Sequence, residues 1–416
     1  MDDEGAIDHF GDQLRSTASD HRNLISTGKG GVRSHDGRVS LLMSSVSLPI
    51  ERDVVRQDRL MADGRTIRYY DTKQQQRTAD DQREKEEQPG IGELRLDPLL
   101  NEWVAMAAHR QGRIFLPPKE LCPLCPSKPG LLSEIPEDDY EVVVFDNRFP
   151  SLRPPAGTWS LPADLNIETP IVDAAGKCEV VCFTAEHATS FKDLSTARIA
   201  TLLSAWRDRT AEIAKLPFIE QIFIFENRGE EIGVTLFHPH GQIYAYSFIT
   251  PRTEKMLQVA QAHKDRTGRV LMDDVVAREI KDEVRVIARN DEWIAYVPWA
   301  SRYPFEIHVA PLRPIADLVG LDERQCALFP ALAKEVMQRL DGVFGIEMAY
   351  IAAWHQAPVR KGRDLLRLHW QITSVRRQPG KLKYLAGSES AMGAFIMDMK
   401  PEQSAAQLRE VKLEGK

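Results

Sequence analysis

His238-Pro239-His240-Gly241-Gln242 lies between two apolar runs, Val234-Thr235-Leu236-Phe237 and Ile243-Tyr244-Ala245-Tyr246. In an extended chain, residues i, i+2 and i+4 share one face. The spacing therefore predicts a strand on which His238, His240 and Gln242 form one polar row. Burying such a row among apolar flanks is unfavourable unless it has partners. A metal ion and a phosphate group are the partners that two imidazoles and a carboxamide suit best. Gly241 has no Cβ, so another group can approach the backbone there.

Working outward, strand-like runs at 141–145, 179–183 and 221–225 precede this row. A helix separates the last two. Asp193 or Ser195 can cap it; Ile199, Leu202, Leu203, Trp206 and Ile213 follow at helical spacing, and it ends before Pro217. The second half repeats the order: strands at 293–297 and 306–310, a helix over 322–341, then strands at 347–351 and 368–372. Asn147-Arg148-Phe149-Pro150 is echoed by Ser301-Arg302-Tyr303-Pro304, and His240-Gly241-Gln242-Ile243 by His369-Trp370-Gln371-Ile372. The pattern predicts an α+β protein made of two duplicated halves, 91–251 and 252–416, with mostly antiparallel sheets. Arg367 stands where the first half has His238, so the two-histidine row occurs once.

Ahead of these halves, residues 71–90 are almost wholly polar and charged. Such a segment buries too little apolar surface to offset its ordering entropy. We therefore expect a largely disordered N-terminal extension over 1–90, with a local strand near 66–70.

The chain of 416 residues carries a net charge of −7, which argues against a general nucleic-acid binder. No apolar run approaches the roughly 18 residues of a membrane span. Met1-Asp2-Asp3-Glu4 begins an N-terminus without a signal-peptide core. Five cysteines, an odd number, do not suggest a disulfide framework. These features point to a cytoplasmic protein with no membrane partner.

Cys122-Pro123-Leu124-Cys125 places two thiols on a Pro-rich turn. No βαβ pattern surrounds it, which disfavours a thioredoxin-type redox pair. Two unrelated thiols or half of a tetrahedral zinc site remain. His187 and His238 are candidates for the other half, although either histidine taken alone would more often be structural. Gly229 and Gly233 bracket a loop that could bring its backbone close to phosphates, although their spacing alone reads more readily as a plain turn.

This series of motifs resembles the galactose-1-phosphate uridylyltransferase family, within the histidine-triad superfamily. The resemblance runs from about Ile91 to the end. It includes His109 to Arg113, the two cysteines, Asn147 to Pro150, Cys182 to His187, Phe225 to Gly229, the HPHGQ row, Trp354 to Pro358 and Lys383 to Glu389. It implies two histidine-triad-like halves and a homodimer. It implies one zinc per chain on Cys122, Cys125, His187 and His238, and His240 as nucleophile assisted by Gln242. Asn147, Asn227, Arg110, Arg113 and Gly233 would meet the nucleotide and its phosphates. Lys383 and Glu389 would hold the sugar phosphate. A neutral imidazole can attack phosphorus without a separate base, and a carboxamide N–H can stabilise charge developing on a phosphoryl oxygen.

Four positions depart from the family pattern. His355 remains of a second metal site, but Thr373 and Val375 replace two histidines, so we expect no second metal. Arg148 replaces an acidic residue at the nucleotide, and Phe395 falls where a sugar-binding glutamine is expected. The reading is a uridylyltransferase that moves UMP from UDP-glucose to galactose 1-phosphate. Its rivals are an ADP-sugar phosphorylase, a nucleotide-binding module or hydrolase, and a non-catalytic zinc-stabilised domain.

Overall fold

Among the residues described in the computed structural model (54–85, 87–112, 116–163 and 171–413), eleven strands join in one antiparallel sheet. They belong to a unit spanning Ser47–Lys416. In chain order the strands are β1 (Val55–Leu60), β2 (Thr66–Asp71), β3 (Val142–Asp146), β4 (Gly176–Cys182), β5 (Gln221–Arg228) and β6 (His240–Tyr246). The second half supplies β7 (Val286–Arg289), β8 (Trp293–Tyr296), β9 (Phe305–Pro311), β10 (Tyr350–His355) and β11 (His369–Ser374). Across the sheet the order is β1-β2-β3-β4-β6-β5-β10-β11-β9-β8-β7. Outward from the central β5–β10 pair, the two sides repeat one connectivity. The predicted α+β architecture is therefore present, and β5 and β10 are where its repeated sides meet.

One face of the sheet is covered by α1 (Thr196–Ile213) and α4 (Glu323–Gly342). Ser195 caps α1 by accepting the Arg198 amide at 3.1 Å. Asp322 and Gln325 form a reciprocal capping box on α4. The apolar positions that predicted α1 are buried with Phe329, Val336 and Leu340 of α4. Trp354 of β10 bridges the halves, with ring centroids 6.1 Å from Trp206 and 6.0 Å from Trp370. Each fully buried side chain of this size contributes roughly 2–3 kcal/mol, which makes this layer the main source of cohesion. The opposite face carries Phe223, Phe225 and Asn227 of β5 beside His240, Gln242 and Tyr244 of β6. Helices α2 (Pro251–Thr267) and α3 (Leu271–Asp282) follow β6 in the chain. No helix among the described residues is long and apolar enough to cross a membrane.

The N-terminal expectation holds in one part and needs correction in another. β2 is the local strand expected near 66–70, but it is not isolated: it pairs with β3, and β1, inside the stretch expected to be disordered, pairs with it at the edge of the sheet. Two effects outweigh the ordering entropy. Ile67, Tyr69 and Tyr70 are buried. The charges after them pair with one another and with the body: Arg77 makes a bidentate contact to Asp71 at 2.6 and 2.9 Å, and Arg83 reaches Asp81 at 2.7 Å and Glu134 at 2.6 Å. The expectation of disorder for 1–53 lies outside the described residues.

Candidate active site

The strand that carries the polar row starts two residues later than the spacing suggests. β6 begins at His240, while His238 lies just before it. Pro239 separates them and has no N–H to give to a ladder, although its carbonyl accepts the Phe183 amide at 3.2 Å. His238 is therefore buried at the start of the strand, and His240 and Gln242 share the open face.

His238 meets the two cysteines there. The ligand atoms of Cys122, Cys125, His187 and His238 all lie within 4.8 Å of one another. Cys125 Sγ is 3.3 Å from His187 Nδ1 and 3.5 Å from His238 Nδ1. His238 Nε2 lies 2.8 Å from the Thr184 carbonyl and 2.8 Å from the Tyr140 hydroxyl. The carbonyl can only accept, so the proton belongs on Nε2 and the Nδ1 lone pair faces the thiols. Tyr140 in turn donates to the Leu124 carbonyl at 3.1 Å, which ties the cysteine loop to the histidine. Fixing one ring nitrogen through the other is how proteins orient metal-binding imidazoles. Burial holds the His238 imidazole down at about 3, so it is neutral. Burial first, and then the neighbouring Cys122, push the Cys125 thiol up to about 12. Two thiols and two imidazoles converging in this way form a cluster that can bind a metal ion; a divalent cation would let the thiols ionise.

His240 Nδ1 lies 2.7 Å from the His238 carbonyl. The proton therefore sits on Nδ1, and Nε2 keeps its lone pair. Burial holds this imidazole below the usual histidine range. His240 lines two neighbouring cavities. The larger, about 750 Å³, is walled by His187, Ser190, Glu226, Asn227, Gly229 and Leu236 among others. The smaller, about 130 Å³, includes Arg110, Glu134, Asn147, Arg148, Phe149 and Gln242. Arg110 Nη1 donates to the Phe149 carbonyl at 2.7 Å and to the Tyr244 hydroxyl at 3.3 Å. Asn147 Oδ1 accepts the Phe149 amide at 2.8 Å, which shapes the turn after β3.

The structure thus brings together His240, Gln242, Arg110, Asn147 and Asn227 beside the Cys/His cluster. Gly233, at φ +81°, closes the turn after Gly229 but is not part of either cavity wall. Gly229, at φ +101°, is the tighter position: a Cβ there would lie 2.7 Å from Ala349 Cβ. Lys383 and Glu389 pair with each other at 2.8 Å, and Lys383 also donates to the Ile396 carbonyl at 2.6 Å. Neither lines a cavity beside His240. Arg113 lies outside the described residues.

Sequence reasoning missed Tyr140 and Thr184, which orient His238, and Glu226, whose role only burial reveals. Burial pushes the Glu226 carboxyl up to about 7, against the hydrogen bond that Tyr350 donates at 3.0 Å. In the second half, His355, Gln371 and Thr373 line a separate cavity of about 410 Å³ that also borders Asn227.

Comparison with known proteins matches both parts of the chain. The model for the N-terminal domain of galactose-1-phosphate uridyl transferase matches residues 81–250, and that for its C-terminal domain matches 255–415. The chain belongs to this family. A galactose-1-phosphate uridylyltransferase from Streptomyces lividans is 42% identical over 369 residues, covering 84% of this chain and 96% of that protein. One from Thermotoga maritima is 34% identical over 326 residues, covering 77% and 99%. A solved uridylyltransferase structure superposes with a TM-score of 0.66 at 30% identity, covering 77% of this chain and 98% of the other.

Proposed function

We propose that the protein is a UDP-glucose–hexose-1-phosphate uridylyltransferase of galactose metabolism. The observation that carries the chemistry is the 2.7 Å contact from His240 Nδ1 to the His238 carbonyl, which leaves Nε2 unprotonated beside two cavities. In the first half-reaction the Nε2 lone pair forms a bond to the α-phosphorus of UDP-glucose. The phosphorus–oxygen bond to glucose 1-phosphate breaks, and the leaving oxygen keeps the electron pair. In the second, a phosphate oxygen of galactose 1-phosphate attacks the same phosphorus. The N–P bond breaks, and UDP-galactose leaves. A covalent intermediate of this kind gives ping-pong kinetics.

Gln242 donates to a non-bridging phosphoryl oxygen as charge develops. Arg110, with Arg113, meets the phosphates; Asn147 and Asn227 hold the nucleoside. Cys122, Cys125, His187 and His238 suit one zinc ion per chain, which when bound would anchor His238 and so the start of β6. The resemblance also assigns Lys383 and Glu389 to the sugar and implies a homodimer. The protein works on small molecules in the cytoplasm, in keeping with its charge and its cysteine content.

The test is product analysis with UDP-glucose and with ADP-glucose, each with and without a hexose 1-phosphate. UDP-glucose alone should leave one UMP on His240, labile in acid, and galactose 1-phosphate should discharge it as UDP-galactose. Preference for ADP-glucose would reassign the base, and release of free UMP without an acceptor would make the protein a hydrolase.

A further inference from the structure

The segment before the family match, together with its first few residues, reaches the wall of the smaller His240 cavity. Glu134 is 5% exposed and lines that cavity. Three arginines converge on it. Arg65, from the β1–β2 turn, donates to Oε2 at 2.6 Å. Arg83, from the polar segment after β2, reaches Oε1 at 2.6 Å. Arg148, which lines the cavity itself, reaches the same Oε1 at 3.3 Å. Arg65 also donates to the Asp146 carbonyl at 2.8 Å, at the end of β3 and one residue before Asn147. Its third contact, Nε to Asp63 at 2.6 Å, locks the turn that carries it. Arg83 is held in the same way by Asp81, at 2.7 and 2.9 Å.

We propose that Arg65, Arg83 and Glu134 are positioning residues that set Arg148 and Asn147 in the wall of the nucleotide cavity. This rests on the transfer reading above. A buried carboxylate must stay paired. While Arg83 occupies Oε1 at 2.6 Å, Arg148 is left with the longer contact and keeps its place in the wall. Without Arg83, Oε1 attracts the Arg148 guanidinium inward, and the wall changes shape. Arg65 meanwhile fixes the end of β3, so both residues after it are held by the N-terminal segment. The mechanism itself uses none of these three side chains. Their effect should therefore fall on nucleotide capture and not on the transfer between bound groups.

The experiment compares wild type with Arg83→Met, Arg83→Lys, Arg148→Met and the double variant Arg83→Met/Arg148→Met. In a ping-pong enzyme, kcat/KM for UDP-glucose reports capture of the free nucleotide. The value for galactose 1-phosphate starts from enzyme that already carries UMP. Arg83→Met should lower kcat/KM for UDP-glucose about tenfold, the usual effect of unpairing one charged hydrogen bond. The value for galactose 1-phosphate should change by less than about threefold, and Arg83→Lys should recover most of the loss. In the Arg148→Met background, Arg83→Met should have no further effect on UDP-glucose. Equal losses for both substrates, or an undiminished effect of Arg83→Met when Arg148 is absent, would mean only a general loss of stability and overturn the proposal. If wild type turns over no UDP-glucose, the transfer reading fails. If wild type is active and Arg83→Met matches it, only the positioning role fails.

Discussion

The two sides of the sheet place histidine and glutamine at the same point, yet only one side keeps the surroundings that chemistry needs. His240 and His369 both direct Nδ1 to the carbonyl two residues earlier, at 2.7 and 3.2 Å. Their neighbours differ. His238 enters the Cys/His cluster, whereas Arg367 pairs with Asp273 at 3.1 and 3.3 Å. His240 opens onto two cavities. His369 is 4% exposed, with the His355 ring stacked at 5.1 Å and the His308 ring at 5.2 Å. By sheet register, Trp354 stands where the first side has Glu226, and His355 where it has Asn227. A shared backbone thus supplies the histidine geometry. The two histidines differ in access and in what anchors residue i−2.

The largest expected effect breaks the comparison at the histidines. His240→Ala should take no UMP label and lose about 10⁴-fold or more in turnover, as removing a nucleophile does. His369→Ala should still be labelled. Mass spectrometry after incubation with UDP-glucose reads both, and label on the His240→Ala protein would remove His240 from the nucleophile's role.

Next in size is the metal. Elemental analysis should give about one zinc per chain. Cys122→Ser should lose the metal and, by the coupling of binding to folding, several kcal/mol of stability. About two metals per chain would show that Thr373 and Val375 had not removed a second site.

A smaller effect follows from Glu226 and its apolar counterpart Trp354. The folded carboxyl is pushed up to about 7 by burial, while an unfolded glutamate titrates near 4.3. A raised carboxyl favours the folded state in its protonated form. That contribution is complete below about pH 4 and is lost as the pH rises through about 7, on the order of 3 kcal/mol. Urea unfolding at pH 4.5 and 8 should show the loss in wild type and much less of it in Glu226→Gln. Equal pH dependence in both proteins would place the titrating group elsewhere.

The smallest effect concerns Phe395, which packs against Tyr303, 6.0 Å between centroids, in the echo of Asn147-Arg148-Phe149-Pro150. Phe395→Gln should change the kcat/KM ratio between galactose 1-phosphate and glucose 1-phosphate by about threefold to tenfold. Unchanged ratios would place residue 395 outside the sugar site.

Much of this was legible from spacing. The period-2 row gave His240 and Gln242, the helical period gave α1 and α4, and the echoed tetrapeptides gave the repeat. What stayed hidden depends on pairing across long separations. The segment over 71–90 reads as solvated because its charges are counted singly, whereas Arg77, Arg83 and Asp81 are held by partners that only the fold supplies. Tyr140 and Thr184 carry no local signal of their contact with His238. Lys383 and Glu389 stand at the expected positions in the chain but form an ion pair away from the His240 cavities, a matter on which sequence order is silent.

The β5–β10 junction also gives the second half a structural task. β5 carries Phe223, Phe225 and Asn227, and five of its residues, Ile224 to Arg228, pair with β10. Without β10 it would be a bare edge, with unpaired amides and carbonyls beside two phenylalanines. Such an edge invites pairing with whatever strand arrives next, including another copy of itself. The second half works as a built-in edge guard for the strand beside His240.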